Sequence, residues 1–220
     1  MKTLLLISFL TFSSHIYSQT ESDIPFIGYF GGYGKDKMLK SDSTGYLFIP
    51  YVDSNIIVFI SKKYTVYKIF DRQNNLILDG DIGGRVFTDY FKRFGKWTLY
   101  YPTTGKPKII GYYYADQPTG LWKFFYPNGQ LKQTYSLAQI QTDSFTLTCK
   151  VGLYEEYYEN GQLKINGFYK TALDTTTIKI YDYAIGDFKD TLIRGPVSKH
   201  FGIWKFYKEN GELEKEEDDW

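Results

Sequence analysis

One ten-residue pattern returns four times along this chain of 220 residues, and it constrains the fold more than any other feature. It reads Gly95-Lys-Trp-Thr-Leu-Tyr-Tyr-Pro-Thr-Thr-Gly105, Gly120-Leu-Trp-Lys-Phe-Phe-Tyr-Pro-Asn-Gly129, Gly152-Leu-Tyr-Glu-Glu-Tyr-Tyr-Glu-Asn-Gly161 and Gly202-Ile-Trp-Lys-Phe-Tyr-Lys-Glu-Asn-Gly211. An aromatic stands second after the opening glycine (Trp97, Trp122, Tyr154, Trp204) and fifth (Tyr100, Phe125, Tyr157, Tyr207). Asn-Gly between two aromatic or aliphatic runs is the strongest short-range signal for a β-hairpin. Each copy therefore reads as a strand, a reversal and a return strand opening on Leu131-Lys132, Leu163-Lys164 or Leu213-Glu214.

The turn can be specified further. Pro127 has no N–H and fits poorly beside a two-residue loop, but it suits the second position of a type I turn. This predicts a three-residue loop closed by Gly129 in the left-handed conformation, with Asn128, Asn160, Asn210, Gly161 and Gly211 in matching places. The first copy ends at Gly105 and carries one extra turn residue.

Alternation sends the second and fifth positions of a strand to opposite faces, so both faces of every hairpin carry a large ring. A lone hairpin cannot bury either face, whereas stacked neighbours can. Gly111 and Gly167, in the return strands, are expected to lie under a ring from the adjacent strand. Composition agrees: Tyr 22, Phe 17 and Trp 4 suit a pleated surface and exclude an all-helical chain, and 43% hydrophobic residues at a net charge of +1 argue against disorder. The expectation is an all-β protein, an elongated antiparallel sheet of consecutive hairpins.

These residues resemble the bacterial variant of MORN repeats, with units like Gly-x-Trp-x-x-Tyr-x-x-Asn-Gly-x-Leu, over residues 79–215. Similar chains are the YwqK-family antitoxin-type repeat proteins. The resemblance implies a sheet used for protein or lipid contact, with no catalytic residue to carry over.

Repeat starts are 25, 32 and 50 residues apart, so 136–151 and 171–201 read as insertions, each with its own strands. Upstream, 46–52, 56–60, 64–70 and 76–78 read as strands, the segment from Tyr67 to Leu76 as a worn repeat without its turn glycine, and 22–43 as irregular. The organisation is thus a signal peptide over 1–19, an N-terminal β-rich capping region over 20–78, the array over 79–215 and an acidic tail over 216–220. The section over 20–78 is expected to cap one end of the array, since Ile56 to Ile60 is apolar on both faces and must be covered.

Lys2 followed by the apolar stretch Thr3 to Phe12 and by Ser13, Ser14 and Ser18 reads as a cleaved export signal, with the mature chain beginning near Gln19 or Thr20. No later run approaches the roughly 18 apolar residues of a membrane helix, so no integral membrane segment is expected after cleavage. Export places the protein in the periplasm, on the outer surface or outside the cell.

Cys149 is the only cysteine and reads as a small buried residue on the face of Leu147 and Val151. His200 is the one histidine after the signal, which removes the usual zinc ligand sets, and it reads as a surface or capping residue. Seven acids between Glu209 and Trp220 face one lysine, while the basic residues elsewhere are scattered, which is no footprint for nucleic acid. Gly31-Gly-Tyr-Gly-Lys35 lacks the spacing of a phosphate loop, and Glu155 and Glu156, being adjacent in a strand, face opposite sides. No catalytic residue, metal site or cofactor is expected.

The function so read is a non-catalytic exported scaffold that binds another protein of the envelope or exterior. The alternatives are a glycan-binding module using an exposed aromatic row and an antitoxin-like binding protein. Any ligand would meet Trp97, Tyr100, Trp122, Phe125, Tyr154, Tyr157, Trp204 and Tyr207, which leaves open which row of rings faces outward.

Overall fold

The computed structural model of the chain describes residues 37–41, 45–49, 56–61, 66–83, 92–142, 146–182 and 186–219. The signal segment and the glycine-rich stretch 28–34 lie outside them. Among the described residues fourteen strands form one antiparallel sheet: β1 (Lys37–Ser41), β2 (Gly45–Ile49), β3 (Ile56–Ser61), β4 (Val66–Asp71), β5 (Leu76–Gly83), β6 (Lys92–Tyr100), β7 (Pro107–Tyr114), β8 (Gln117–Phe125), β9 (Leu131–Gln141), β10 (Thr146–Tyr157), β11 (Leu163–Asp182), β12 (Asp187–His200), β13 (Gly202–Tyr207) and β14 (Leu213–Asp219). Neighbours in sequence are neighbours in the sheet, except that β11 pairs with both β12 and β13. The sheet does not close on itself, and the expected all-β architecture of successive hairpins holds.

Three reversals adopt the turn expected from proline and glycine. Gly129 N donates to Tyr126 O at 2.8 Å and Tyr126 N to Gln130 O at 2.9 Å, leaving a loop of Pro127, Asn128 and Gly129 with Gly129 at φ 93°. Residues 158–162 and 208–212 repeat these bonds, with Gly161 and Gly211 at φ 87°. The extra residue of the first copy lengthens its loop, closed by Gly105 N on Tyr101 O at 2.8 Å. The worn repeat is a full hairpin of the same kind, in which Asn74 takes the left-handed position at φ 67°. Asparagine tolerates that region because its short amide bonds locally.

After each of these five turns the return strand carries one unpaired residue: Ile77, Lys108, Lys132, Lys164 and Glu214 are each skipped in the register. A second irregularity was not legible in the sequence. The opening glycines Gly95, Gly120, Gly152 and Gly202 all have φ between 63° and 75°, and a register shift lies beside the first three.

One row of residues runs across the sheet and forms the core. Tyr67 pairs with Gly80, Gly80 with Trp97 and Trp97 with Gly111. Trp122 pairs with Tyr135, Tyr135 with Tyr154 and Tyr154 with Gly167. Each tryptophan lies flat over a glycine: a Cβ added to Gly80, Gly111 or Gly167 would stand 2.1, 2.5 or 2.2 Å from a ring carbon of Trp97, Trp122 or Trp204. The expectation for Gly111 and Gly167 is met, and Gly80 joins them. Where the return strand offers Tyr135 in place of glycine, the partner is Tyr154, and the two rings stack at 6.3 Å and 13°.

Both insertions are hairpin arms that prolong the strands flanking them, β9–β10 and β11–β12. They pack on each other: Cys149 Sγ donates to Pro196 O at 3.3 Å, Lys150 N donates to Ser198 Oγ at 2.7 Å, and Leu147 and Ile178 are fully buried. Cys149 is buried as expected. One correction falls in the segment 22–43 read as irregular, where Lys37–Ser41 is a strand paired with β2. Its alternation is short and its flanks carry glycine, which masked the signal.

These contacts separate two kinds of glycine experimentally. Gly111→Ala is expected to lower stability by about 1–3 kcal/mol, because the indole of Trp122 must leave its seat. Gly105→Ala, with open space but φ 65°, is expected to cost about 1 kcal/mol through backbone strain alone. Chemical denaturation checks both, and Trp122→Leu should partly rescue only the first.

Candidate protein-binding face

The structure divides the residues expected to meet a ligand into two sets. Those in the second position, Trp97, Trp122, Tyr154 and Trp204, are core, with Trp122 only 2% exposed. Those in the fifth position, Tyr100, Phe125, Tyr157 and Tyr207, are half-buried at the turn end of the sheet. An aromatic row open to a flat sugar ring therefore does not form from the repeat tryptophans. Trp220 lies outside the described residues.

What the sixth position does was missing from the sequence reading. Tyr101, Tyr126 and Tyr158 each donate their hydroxyl to the carbonyl of the fifth residue in the following repeat, Phe125, Tyr157 and Tyr207, all at 2.8 Å. A lysine of the return strand rests on each ring, Lys108, Lys132 and Lys164, each at 5.7 Å. The turn asparagines add a parallel ladder. Asn128 and Asn160 accept from the N–H two residues on and donate Nδ2 to the carbonyls of Glu159 and Glu209 in the next turn, at 3.0 and 3.1 Å. The fourth copy carries Lys208 in place of the tyrosine. The repetition of Tyr at one offset in three copies was the signal available for this.

Glu155 and Glu156 do face opposite sides, and both are half-buried and partnered. Tyr157 donates to Glu155 at 2.9 Å, and Glu156 accepts from Tyr154 at 3.1 Å and from Lys164 at 2.7 Å. Burial, followed by the bond to Glu155, raises the Tyr157 phenol to about 12. Burial and then the Glu156 charge push Tyr154 higher still. His200 is exposed and stacks on Trp204 at 3.8 Å between centroids, with Tyr169 edge-on at 5.2 Å. Among the described residues no group of three His, Cys, Asp or Glu is placed to hold a metal ion.

The hairpin arm of β11 and β12 exposes Leu173, Phe188 and Leu192, and within the array an exposed apolar row lies on the opposite, reverse face. The residue just after each opening glycine points there: Lys96, Leu121, Leu153 and Ile203. Their cross-strand partners complete a row, with Lys96 opposite Tyr112, Leu121 opposite Ser136, Leu153 opposite Phe168 and Ile203 opposite Asp218. Leu153 is 51% and Ile203 53% exposed, and Tyr112, Leu121 and Phe168 are 40–43% exposed. Phe201 joins at 6.5 Å from Phe168, capped by Lys170 at 3.2 Å from its ring. At the other end, Tyr112, Ile110 and Leu121 floor a shallow depression of about 600 Å³ between Lys96 and Lys123. Sequence reasoning passed over this row because it followed the rings, whereas exposure falls to the aliphatic neighbours of the core tryptophans.

Comparison with known families agrees with this geometry. The family model of the MORN repeat variant matches residues 118–137, 150–171 and 202–218. The chain thus carries MORN repeat variants, and the hairpin of residues 95–113, outside the matched segments, shares their opening glycine and buried core ring. Among curated proteins none matches the chain.

Two measurements test these tyrosine contacts. Tyr158→Phe is expected to lower stability by about 0.5–1.5 kcal/mol, the ordinary net worth of one hydrogen bond, with faster amide exchange in β13 and β14. For Tyr157 the folded pKa lies above the ordinary 10, so its contribution is complete below pH 10 and lost as pH rises through about 12. The denaturant midpoint should fall across that window, and Tyr157→Phe should reduce the fall.

Proposed function

We propose that this chain is an exported, non-catalytic scaffold that binds a protein of the envelope or the cell exterior through the reverse face of its repeat array. The observation that carries the reading is the contiguous exposed row around Leu153 and Phe168, on a face that no other part of the described chain covers. Contiguous apolar surface of this kind marks interaction sites in proteins, whereas singly scattered apolar residues do not. MORN repeats are commonly protein-binding modules, which supports the same reading. The rigid, doubly stapled sheet beneath the row supplies the preorganisation that binding needs.

Export rests on Lys2, the apolar run that follows and the small polar residues after it. A glycan reading has less to stand on, since the repeat tryptophans are enclosed in the core.

A photo-crosslinking residue at position 153 or 168, introduced in the cell that makes the protein, tests the proposal. Discrete protein adducts are expected in the envelope or extracellular fraction, and none from the same probe at exposed position 130 beside a turn. Adducts absent from both reverse-face positions, or confined to the cytoplasm, would sink it.

A further inference from the structure

The reverse-face row changes character from one end to the other. It begins with a cation, Lys96 on β6, passes through Tyr112 and Leu121 to Leu153 and Phe168, and ends with Ile203 and the anion Asp218 on β14. Neither Lys96 nor Asp218 has an ion-pair partner among the described residues, and both are exposed. Six strands lie between β6 and β14 in the sheet order, so the two ends of one copy cannot reach each other.

We infer that this row is self-complementary and that the partner it fits is a second copy of the chain, packed face to face about a two-fold axis parallel to the strands. Such an axis keeps strand directions aligned, as two sheets of the same twist require, and reverses the order of strands across the sheet. With the axis between β9 and β10, Lys96 of each copy meets Asp218 of the other, Tyr112 meets Ile203, Leu121 meets Phe168, and Leu153 sits beside the axis. Both charged ends lie on one face, so the contact is the same on both copies and closes at two, without growing into a filament.

The row crosses eight strands, roughly 35 Å at ordinary strand spacing. With a width of two or three side chains it covers on the order of 600 Å² per copy, near the lower limit of specific interfaces. The dimer should therefore be reversible and concentration-dependent, with its charged ends fixing the register more than the strength. The inference rests on the reverse face being a protein-binding surface, and it names the occupant.

Sedimentation velocity on the purified chain tests it. A monomer–dimer equilibrium in the micromolar range is expected, abolished by Leu153→Glu with an unchanged circular dichroism spectrum. Lys96→Glu alone and Asp218→Lys alone should each weaken association about tenfold at low salt. Combined in one chain they should restore it, because every copy then offers both reversed charges to the other. A monomer at all concentrations, or a dimer indifferent to either charge reversal, would overturn the inference. If the chain is monomeric while probes at position 153 still capture a different envelope protein, the inference fails and the scaffold reading stands. If those probes capture nothing, both fail.

Discussion

The seating of an indole on a glycine is the constraint from which the rest of this structure follows. A sheet one layer thick has no second layer to bury a face, so burial must come from rings lying down across their neighbours. That requires a strand position with no side chain, which Gly80, Gly111 and Gly167 provide beneath Trp97, Trp122 and Trp204. Because each ring is seated on the preceding strand, every repeat is incomplete without the one before it. The Tyr135–Tyr154 pair shows the rule by its variation: with Tyr135 in place of a glycine, the ring of Tyr154 stacks against another tyrosine. The tyrosine hydroxyls and asparagine amides then tie each turn to the next, so that both the middle and the turn end of the array are linked in one direction.

This directionality explains why long insertions are tolerated. The two arms leave the array at the strand ends opposite the turns, beyond the opening glycines, where the stapling bonds do not reach. They prolong β9–β10 and β11–β12 without displacing the row of rings, and they bury their own small cluster of Leu147, Cys149 and Ile178. Lys150 links arm and array, its ammonium held against the rings of Tyr135, Tyr154 and Tyr169 at 4.7–5.9 Å. Repeat starts 25, 32 and 50 residues apart thus hide a regular structure.

Hairpins, turn type and the glycine seats were legible because each depends on a local necessity: Asn-Gly at a reversal, proline beside it, a glycine in a strand. The worn repeat around Tyr67 was legible for the same reason once asparagine was allowed a left-handed backbone. Positive φ at the four opening glycines was not, since a glycine at a strand entrance is equally compatible with an ordinary extended backbone. Nor was the exposed face. Composition draws attention to Trp and Tyr, but which side of an alternating strand meets water is decided by the neighbours, and the neighbours of Trp122 enclose it while those of Leu121 do not. A functional surface made of leucine, isoleucine and phenylalanine beside the core rings leaves no motif.

An open sheet has only three ways to meet another molecule: an edge, the face that holds the core, or the other face. The C-terminal edge strand, Leu213–Asp219, carries five acids in seven residues, and such charge suppresses edge-to-edge pairing with a like strand. The core face is occupied along its length by the rings themselves, and the arms stand at its margin. Within the array the reverse face remains, where Leu153 and Ile203 are half exposed although the strands beneath them are pinned by the repeat staples. Apolar side chains held rigidly at the surface lose little further freedom when covered, so even a modest area can sustain association. The repeat that builds the core therefore also builds the contact surface, since the residue preceding each buried ring is directed outward by the same alternation.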